Sequence, residues 1–141
     1  MKAIILILIT LISLSAKDIN YGSVTVDEVT SIYDGDTFRV NIKDYPSIAG
    51  NRIPIRINGI DTPEMRGKCP KEKTLAREAK QFTVKKLRNA KVIELRNMQR
   101  GKYFRIVADV YADNQSLADE LIKNNLAVRY NGGTKVKDWC K

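Results

Sequence analysis

The stretch RIPIRINGIDTPE, residues 52–64, contains the pattern that decides the fold. Apolar side chains recur at Ile53, Ile55 and Ile57, and alternation with a period of two is typical of a strand that buries one face. Successive strand residues point to opposite faces, so Arg56 lies on the face opposite the isoleucines. The stretch therefore predicts a half-buried strand that carries an arginine away from the hydrophobic core.

Two acidic turns border strands of this predicted sheet. Asp61 and Glu64 flank a Thr-Pro pair just after the strand that carries Arg56, and Pro63 restricts the backbone of that turn. A second acidic turn, DGDT at residues 34–37, immediately precedes another alternating segment. Ca²⁺ prefers carboxylate and carbonyl oxygens, and a site with few carboxylates leaves room for water and a phosphate oxygen. We therefore expect the two turns to converge on one cation.

The rest of the chain supplies short strands and two helices. Residues 44–51 have the Pro, Gly and Asn of a connecting loop. Helical spacing of apolar residues covers 70–89, where Pro70 opens the helix. A short second helix begins at the capping pair Ser116 and Asp119. The βββαββα order predicts an α+β, mainly β fold, a five-stranded OB-fold barrel with two packed helices, whose outer face commonly binds nucleic acid. The predicted strands are 24–32, 37–43, 52–58, 92–95 and 103–111.

The segment KYFRIVADVY, residues 102–111, places a second arginine on a face of the sheet. Phe104 and Ile106 belong to the apolar face, so Arg105 lies on the opposite one. Two arginines and a metal ion form a clamp for a phosphodiester attacked by water, because negative charge builds on the equatorial phosphate oxygens. Glu64 can orient or deprotonate that water. The sequence has no histidine, which excludes a histidine base and histidine-ligated zinc.

The first 16 residues have the layout of a secretory signal peptide. One lysine precedes an apolar run from Ala3 to Leu14, and small residues follow up to Ala16. A membrane anchor is the alternative, but a spanning helix needs about 20 apolar residues, and this run is shorter and interrupted. We therefore expect residues 1–16 to be removed. The remaining residues 17–141 are then one domain, secreted or periplasmic, without a membrane segment.

The chain after the signal peptide is strongly basic. It has 24 lysine and arginine residues and 16 acidic residues, a net charge of +8. Such an excess favours polyanionic partners such as nucleic acids. A basic surface that only aids solubility explains the charge equally well. Charge alone therefore leaves both interpretations open.

The two cysteines, Cys69 and Cys140, lie in the centre and next to the C-terminus. In an exported protein such a pair favours a disulfide, although two independent thiols are the alternative. The segment after Ala127 has few apolar side chains, so a covalent link would hold the tail to the middle of the chain. We therefore predict that the two cysteines are joined.

Three motifs stand out along the chain: SIYDGDTFRV at 31–40, RINGIDTPE at 56–64 and KYFRIVADVY at 102–111. In sequence and in order, they resemble the signature segments of the staphylococcal nuclease, or thermonuclease-like, family. The resemblance implies a Ca²⁺-dependent OB-fold phosphodiesterase that hydrolyses DNA and RNA. Attack by a metal-adjacent water would release the 5′ oxygen and leave 3′-phosphate ends. We further expect a monomer that prefers single-stranded substrates.

The same resemblance assigns roles to eight residues, each through the motif in which it lies. The assigned residues are Asp36 and Asp61 as direct metal ligands, Thr62 through its backbone carbonyl, Arg56 and Arg105 as catalytic arginines, Glu64 as the residue that handles the water, and Lys102 and Tyr103 as contacts of the nucleotide's terminal phosphate.

Two regions depart from the family pattern. The loop at 42–52 is longer than in the best-known member, and the chain after Ala127 lacks that member's long final helix. Tyr130 is a candidate for stacking on a nucleobase, but a packing role fits it equally well. Base preference therefore stays open.

Two other functions fit the charge and the predicted fold. One is a non-catalytic OB module that binds single strands through charge and aromatic stacking. The other is a surface protein that binds acidic glycans. Carboxylates beside a phosphate weaken pure binding, so an acidic cluster beside arginines favours catalysis. The discriminating set is Asp36, Arg56, Asp61, Glu64 and Arg105.

Overall fold

The computed structural model describes residues 19–141, and the predicted signal peptide lies outside them. The described chain is an α+β unit in which a curled mixed sheet forms a half-barrel with three helices, so the predicted fold class is confirmed. The strands are β1 Val24–Thr25, β2 Glu28–Ile32, β3 Thr37–Asn41, β4 Ile53–Ile57, β5 Ile60–Asp61, β6 Ile93–Arg100, β7 Ile106–Ala112, β8 Gln115–Ser116 and β9 Val128–Arg129; the helices are α1 Ser47–Gly50, α2 Pro70–Asn89 and α3 Leu117–Lys123.

The sheet has the strand order β1-β6-β7-β4-β3-β2, with β8 added to β7. Its neighbours are antiparallel except β4 and β7, which run parallel with Arg56 opposite Val107. This pairing brings the arginine of β4 close to the start of β7. The two-residue strands β5 and β9 form a separate antiparallel pair, with Asp61 opposite Val128. The chain that follows β9 is therefore held beside the second acidic turn.

The hydrophobic core lies between the sheet and the helices α2 and α3. Ile53, Ile55 and Ile57 are all buried, as their alternation predicts. Helix α2 contributes the small side chains Ala76 and Ala79, both with no exposed surface, so its backbone approaches the sheet closely. The core thereby fixes the strand ends that carry the acidic turns.

Several element boundaries differ from the predicted ones, and the two-residue strands β5, β8 and β9 were not predicted. The predicted loop 44–51 contains the single turn of α1, and the first predicted strand is divided into β1 and β2. Strand β6 continues to Arg100, beyond the predicted end, through a register shift in its pairing with β7. Strand β7 begins at Ile106, because Tyr103 and Phe104 both have a φ of 58°, in the left-handed region where a strand cannot continue.

The ends of the helices follow the predicted signals. Pro70 occupies the first turn of α2, and Ser116 Oγ accepts the backbone N–H of Asp119 at 3.2 Å at the start of α3. Cys69 caps α2 and is joined to Cys140 by a disulfide with a Cα–Cα distance of 6.0 Å, as predicted. Within residues 19–141, none of the three helices is both long enough and apolar enough to cross a membrane.

Candidate active site

The first acidic turn is held by its own backbone. Asp34 Oδ1 accepts the N–H groups of Asp36 at 3.1 Å and Thr37 at 2.8 Å, a local pattern that Asp side chains favour in turns. The carbonyl of Asp36 accepts the N–H of Ile57 at 2.8 Å, which ties the turn to the end of β4. Asp36 is only 2% exposed, so its carboxylate is fixed inside the protein.

Helix α2 closes over this turn at Gly35. Thr83 Oγ1 donates a hydrogen bond to the carbonyl of Gly35 at 2.7 Å. A Cβ atom at Gly35 would lie 2.8 Å from the Cβ of Ala79 and 3.0 Å from Cγ2 of Thr62, so only glycine fits there. The close approach brings the first acidic turn against the second, because buried Thr62 lies directly beside Gly35.

Arg56 links the two turns. Its Nη1 donates to Asp36 Oδ1 at 2.8 Å, and its Nη2 lies 3.9 Å from Asp61 Oδ1 and donates to the carbonyl of Ile60 at 3.4 Å. Asp61 is 4% exposed. The structure therefore brings together Asp36, Arg56 and Asp61, as the sequence predicts.

The acidic groups carry more negative charge than Arg56 alone offsets. Burial raises the pKa of Asp36 to about 7; Arg56 opposes this rise, whereas the carboxylates of Asp34 and Asp61 add to it. Burial also raises the pKa of Asp34 above its ordinary value, against the hydrogen bonds that it accepts. A cluster of buried carboxylates with raised pKa values is the donor set that suits a hard divalent cation.

Lys135 supplies positive charge that sequence reasoning missed. Its Nζ lies 2.7 Å from Asp61 Oδ1 and 2.6 Å from Glu64 Oε1. Burial alone would lower the pKa of Lys135, but the two carboxylates raise it above its ordinary value. Lys135 belongs to a tail without helical or strand periodicity, so no local pattern indicated this contact. The predicted link of Cys140 to Cys69 was the only signal that the tail lies near the site.

Glu72 positions the second acidic turn and was also missed. Its carboxylate accepts the N–H groups of Glu64 at 3.3 Å and Lys68 at 2.9 Å, and the residue is 7% exposed. A Cβ atom at Gly67 would lie 2.5 Å from this carboxylate, so the turn wraps tightly around it. An acidic residue in the first turn of a helix is a common sequence feature. The sequence pattern therefore does not indicate that Glu72 binds the backbone of the second acidic turn.

A cavity of about 510 Å³ adjoins the acidic cluster. Arg56, Arg105, Lys102 and Lys135 line it, so its wall is strongly positive. The Nε of Arg105 is buried and has no hydrogen-bond partner among residues 19–141. Arginine guanidinium groups bind phosphate oxygens through charge-assisted hydrogen bonds, so this wall suits a phosphate.

The two tyrosines predicted as candidates for substrate contact, Tyr103 and Tyr130, differ in position. Tyr130 lines the cavity and donates through its hydroxyl to the carbonyl of Gly133 at 2.6 Å. Tyr103 is 89% exposed and lies outside the residues that line the cavity. The structure therefore gathers seven of the eight predicted site residues around the acidic cluster and the cavity, and it leaves Tyr103 apart from them.

The family model described as staphylococcal nuclease homologue matches residues 54–138. The chain belongs to this family. The staphylococcal nuclease homologue family consists in general of nucleases that bind nucleic acid substrates, which agrees with arginines beside buried carboxylates. The matched region includes Arg56, Asp61, Glu64 and Arg105, and it also includes Lys135.

Proposed function

We propose that this protein is a Ca²⁺-dependent nuclease that hydrolyses phosphodiester bonds of DNA and RNA. The observation that carries the proposal is a cavity lined by Arg56 and Arg105, in which Arg56 also contacts the buried carboxylates of Asp36 and Asp61. A protein that only binds nucleic acid needs the arginines but not the carboxylates. The carboxylates repel a phosphate unless a cation lies between them.

The donor set fits a calcium ion. Asp36 and Asp61 offer buried carboxylate oxygens, and Thr62, the buried residue that follows Asp61, has a backbone carbonyl to add. Ca²⁺ accepts this mixture of oxygen donors and tolerates irregular geometry. When bound, such an ion neutralises charge on a phosphate and lowers the pKa of an adjacent water. We assign Asp36, Asp61 and Thr62 to hold it.

The arginines stabilise the charge that develops during hydrolysis. Arg105 lines the cavity, so its guanidinium is placed to donate to a phosphate oxygen there. Arg56 is already oriented by Asp36 at 2.8 Å, so little rotamer entropy is lost when it binds phosphate. Both act most strongly when negative charge builds on the equatorial oxygens.

Glu64 handles the attacking water in this proposal. Its side chain is 54% exposed, at the edge of the acidic cluster, where water reaches it. The Glu72 carboxylate fixes the Glu64 backbone, which limits the positions that its carboxylate can take. Attack by this water releases the 5′ oxygen and leaves a 3′-phosphate end. Lys102 lies at the cavity wall, where it contacts the terminal phosphate, whereas the adjacent Tyr103 lies outside the cavity lining.

Single strands are the preferred substrate in this proposal, and the protein acts as a monomer outside the cytoplasm after removal of its signal peptide. The positive charge of the chain attracts either nucleic acid. A flexible single strand presents a phosphate to a concave site more readily than a stiff duplex does.

The test is digestion of single-stranded DNA by the purified protein in Ca²⁺ and in excess chelator. We expect hydrolysis only with Ca²⁺, and 3′-phosphate ends on the products. Asp36→Asn should abolish turnover while strand binding, measured by fluorescence anisotropy, persists. Full activity in chelator or in Asp36→Asn would refute the proposal. Binding without hydrolysis under every condition would identify a non-catalytic OB module instead.

A further inference from the structure

The tail after β9 carries an ammonium group into the acidic cluster. Lys135 Nζ lies between Asp61 Oδ1 at 2.7 Å and Glu64 Oε1 at 2.6 Å. The first oxygen belongs to a proposed metal ligand and the second to the residue proposed to handle water. A calcium ion lies 2.3–2.6 Å from its oxygen ligands, so the ammonium occupies nearly the same space as a cation bound to Asp61.

The tail is anchored on both sides of Lys135. On its N-terminal side, β9 pairs with β5, and Tyr130 N–H donates to the carbonyl of Gly59 at 3.0 Å. On its C-terminal side, Cys140 is bonded to Cys69. Residues 130–140 therefore form a strap across the acidic cluster. A group on a strap with two fixed ends has a high effective concentration at its target.

An ammonium and a divalent cation cannot share these oxygens at low cost. Two charges of the same sign a few ångströms apart repel by several kcal/mol at the effective dielectric of a protein surface. The buried carboxylate of Asp61 needs a cation beside it. One cation must leave when the other arrives.

We propose that Lys135, which also pairs with Glu64, is an internal cation that competes with the metal ion for Asp61 and thereby sets the metal affinity of the site. This inference rests on the metal site of the proposed function. The ammonium keeps the carboxylates paired and in position when no metal is bound. When the metal enters, the ammonium moves away from the carboxylates but stays at the wall of the phosphate cavity, which Lys135 already lines.

The chain offers a matched control on the same strap. Lys137 carries the same charge two residues away, and its Nζ lies 5.3 Å from the centre of the Trp139 ring, not on the carboxylates. Lys135→Gln and Lys137→Gln remove the same charge from the same segment. Any difference between them reports the contact with the carboxylates rather than the net charge.

Two measurements test the inference on the full chain. The first is Ca²⁺ affinity by isothermal titration calorimetry, without substrate. We expect Lys135→Gln to bind Ca²⁺ about tenfold more tightly than the wild type, and Lys137→Gln to bind within about twofold of it. The second is thermal unfolding. In chelator, Lys135→Gln should melt at a lower temperature than Lys137→Gln, and saturating Ca²⁺ should remove that difference.

The outcomes separate this inference from the proposed function. Ca²⁺ binding with equal affinities in the two variants, or weaker binding by Lys135→Gln, overturns the competition and leaves the metal site intact. Absence of Ca²⁺ binding by the wild type and both variants overturns the metal site and the competition together. Tighter binding by Lys135→Gln alone supports both.

Discussion

Arg105 lines the cavity, and its buried Nε has no hydrogen-bond partner in the described chain. Lysine at this position keeps the charge but loses the planar fork that contacts two phosphate oxygens. We expect Arg105→Lys to lower kcat by about tenfold or more, because the lost interaction forms mainly in the transition state. Single-turnover and steady-state digestion of DNA measure the effect. Arg39→Lys, on an exposed arginine of β3, is the control and should leave kcat unchanged.

A rise in KM with unchanged kcat would contradict this role for Arg105. Arg105 would then contribute equally to binding of the substrate and of the transition state, which is the role of a residue that only positions the substrate.

Asp36 affects stability with a sign that depends on pH. Its pKa rises from 3.8 to about 7 on folding, so the folded state binds the proton more tightly than the unfolded state. The tighter proton binding stabilises the folded state fully below pH 4, and this stabilisation is lost as the pH rises through 7. In chelator, Asp36→Asn keeps a neutral side chain at every pH. The melting temperature of Asp36→Asn minus that of the wild type should therefore increase between pH 4 and 7. Above pH 7 this difference should stay constant.

Thermal unfolding over that pH range measures the difference between the two proteins. If the wild-type melting temperature instead rose relative to that of Asp36→Asn with increasing pH, the ion pair with Arg56 would outweigh the effect of burial on the Asp36 carboxylate.

The residues proposed from sequence and those missed differ in how far their contacts reach along the chain. The acidic turns and Arg56 were found because each lies in a short pattern of its own. Thr83 contacts Gly35 across 48 residues, and Lys135 contacts Glu64 across 71. Such contacts leave no periodic signal in the sequence, so only the fold reveals them.

Helix α2 is the element that holds the first acidic turn in place. Thr83→Val keeps the shape of the side chain but removes its 2.7 Å hydrogen bond to the buried carbonyl of Gly35. We expect the free energy of unfolding to fall by about 1–3 kcal/mol, since a buried acceptor loses its partner. Thr74→Val makes the same change at an exposed position of α2 and should cost less than about 0.5 kcal/mol. Urea unfolding measures both.

Equal losses in the two variants would indicate an effect of helix propensity rather than of the hydrogen bond. Ca²⁺ affinity provides a second readout, because a loosened turn should also bind the ion less tightly in Thr83→Val.

The strands were predicted from alternation, and alternation also caused the main error at this scale. The pattern of period two continues through Tyr103 and Phe104, yet both residues have a φ of 58° and form a turn. Side-chain order cannot distinguish a strand from a turn that happens to alternate. The loop at 44–51 likewise contains α1, a single helical turn too short to produce a helical period.

At the scale of the whole molecule, the excess of positive charge governs binding to nucleic acid. The net charge of the full sequence is +9, and five of the basic residues line the cavity beside the cluster. We expect affinity for single-stranded DNA to fall at least about tenfold between 50 and 200 mM salt, with a linear dependence of log K on log salt concentration. Fluorescence anisotropy in chelator, without hydrolysis, measures the slope.

Affinity that does not change with salt would mean that apolar contacts dominate binding. Base preference would then depend on aromatic residues such as Tyr130.

The bond between Cys69 and Cys140 closes a large ring in the chain, with a separation of 71 residues. A protease that cuts once inside this ring therefore nicks the protein without separating its pieces. The exposed turn before β7 offers Lys102 to trypsin, and a cut there leaves Arg56 and Arg105 on different fragments that stay joined. Electrophoresis of the cleaved protein should give one band without reductant and two bands with it. The ring thus keeps the two halves of the site covalently joined after a cut at this turn.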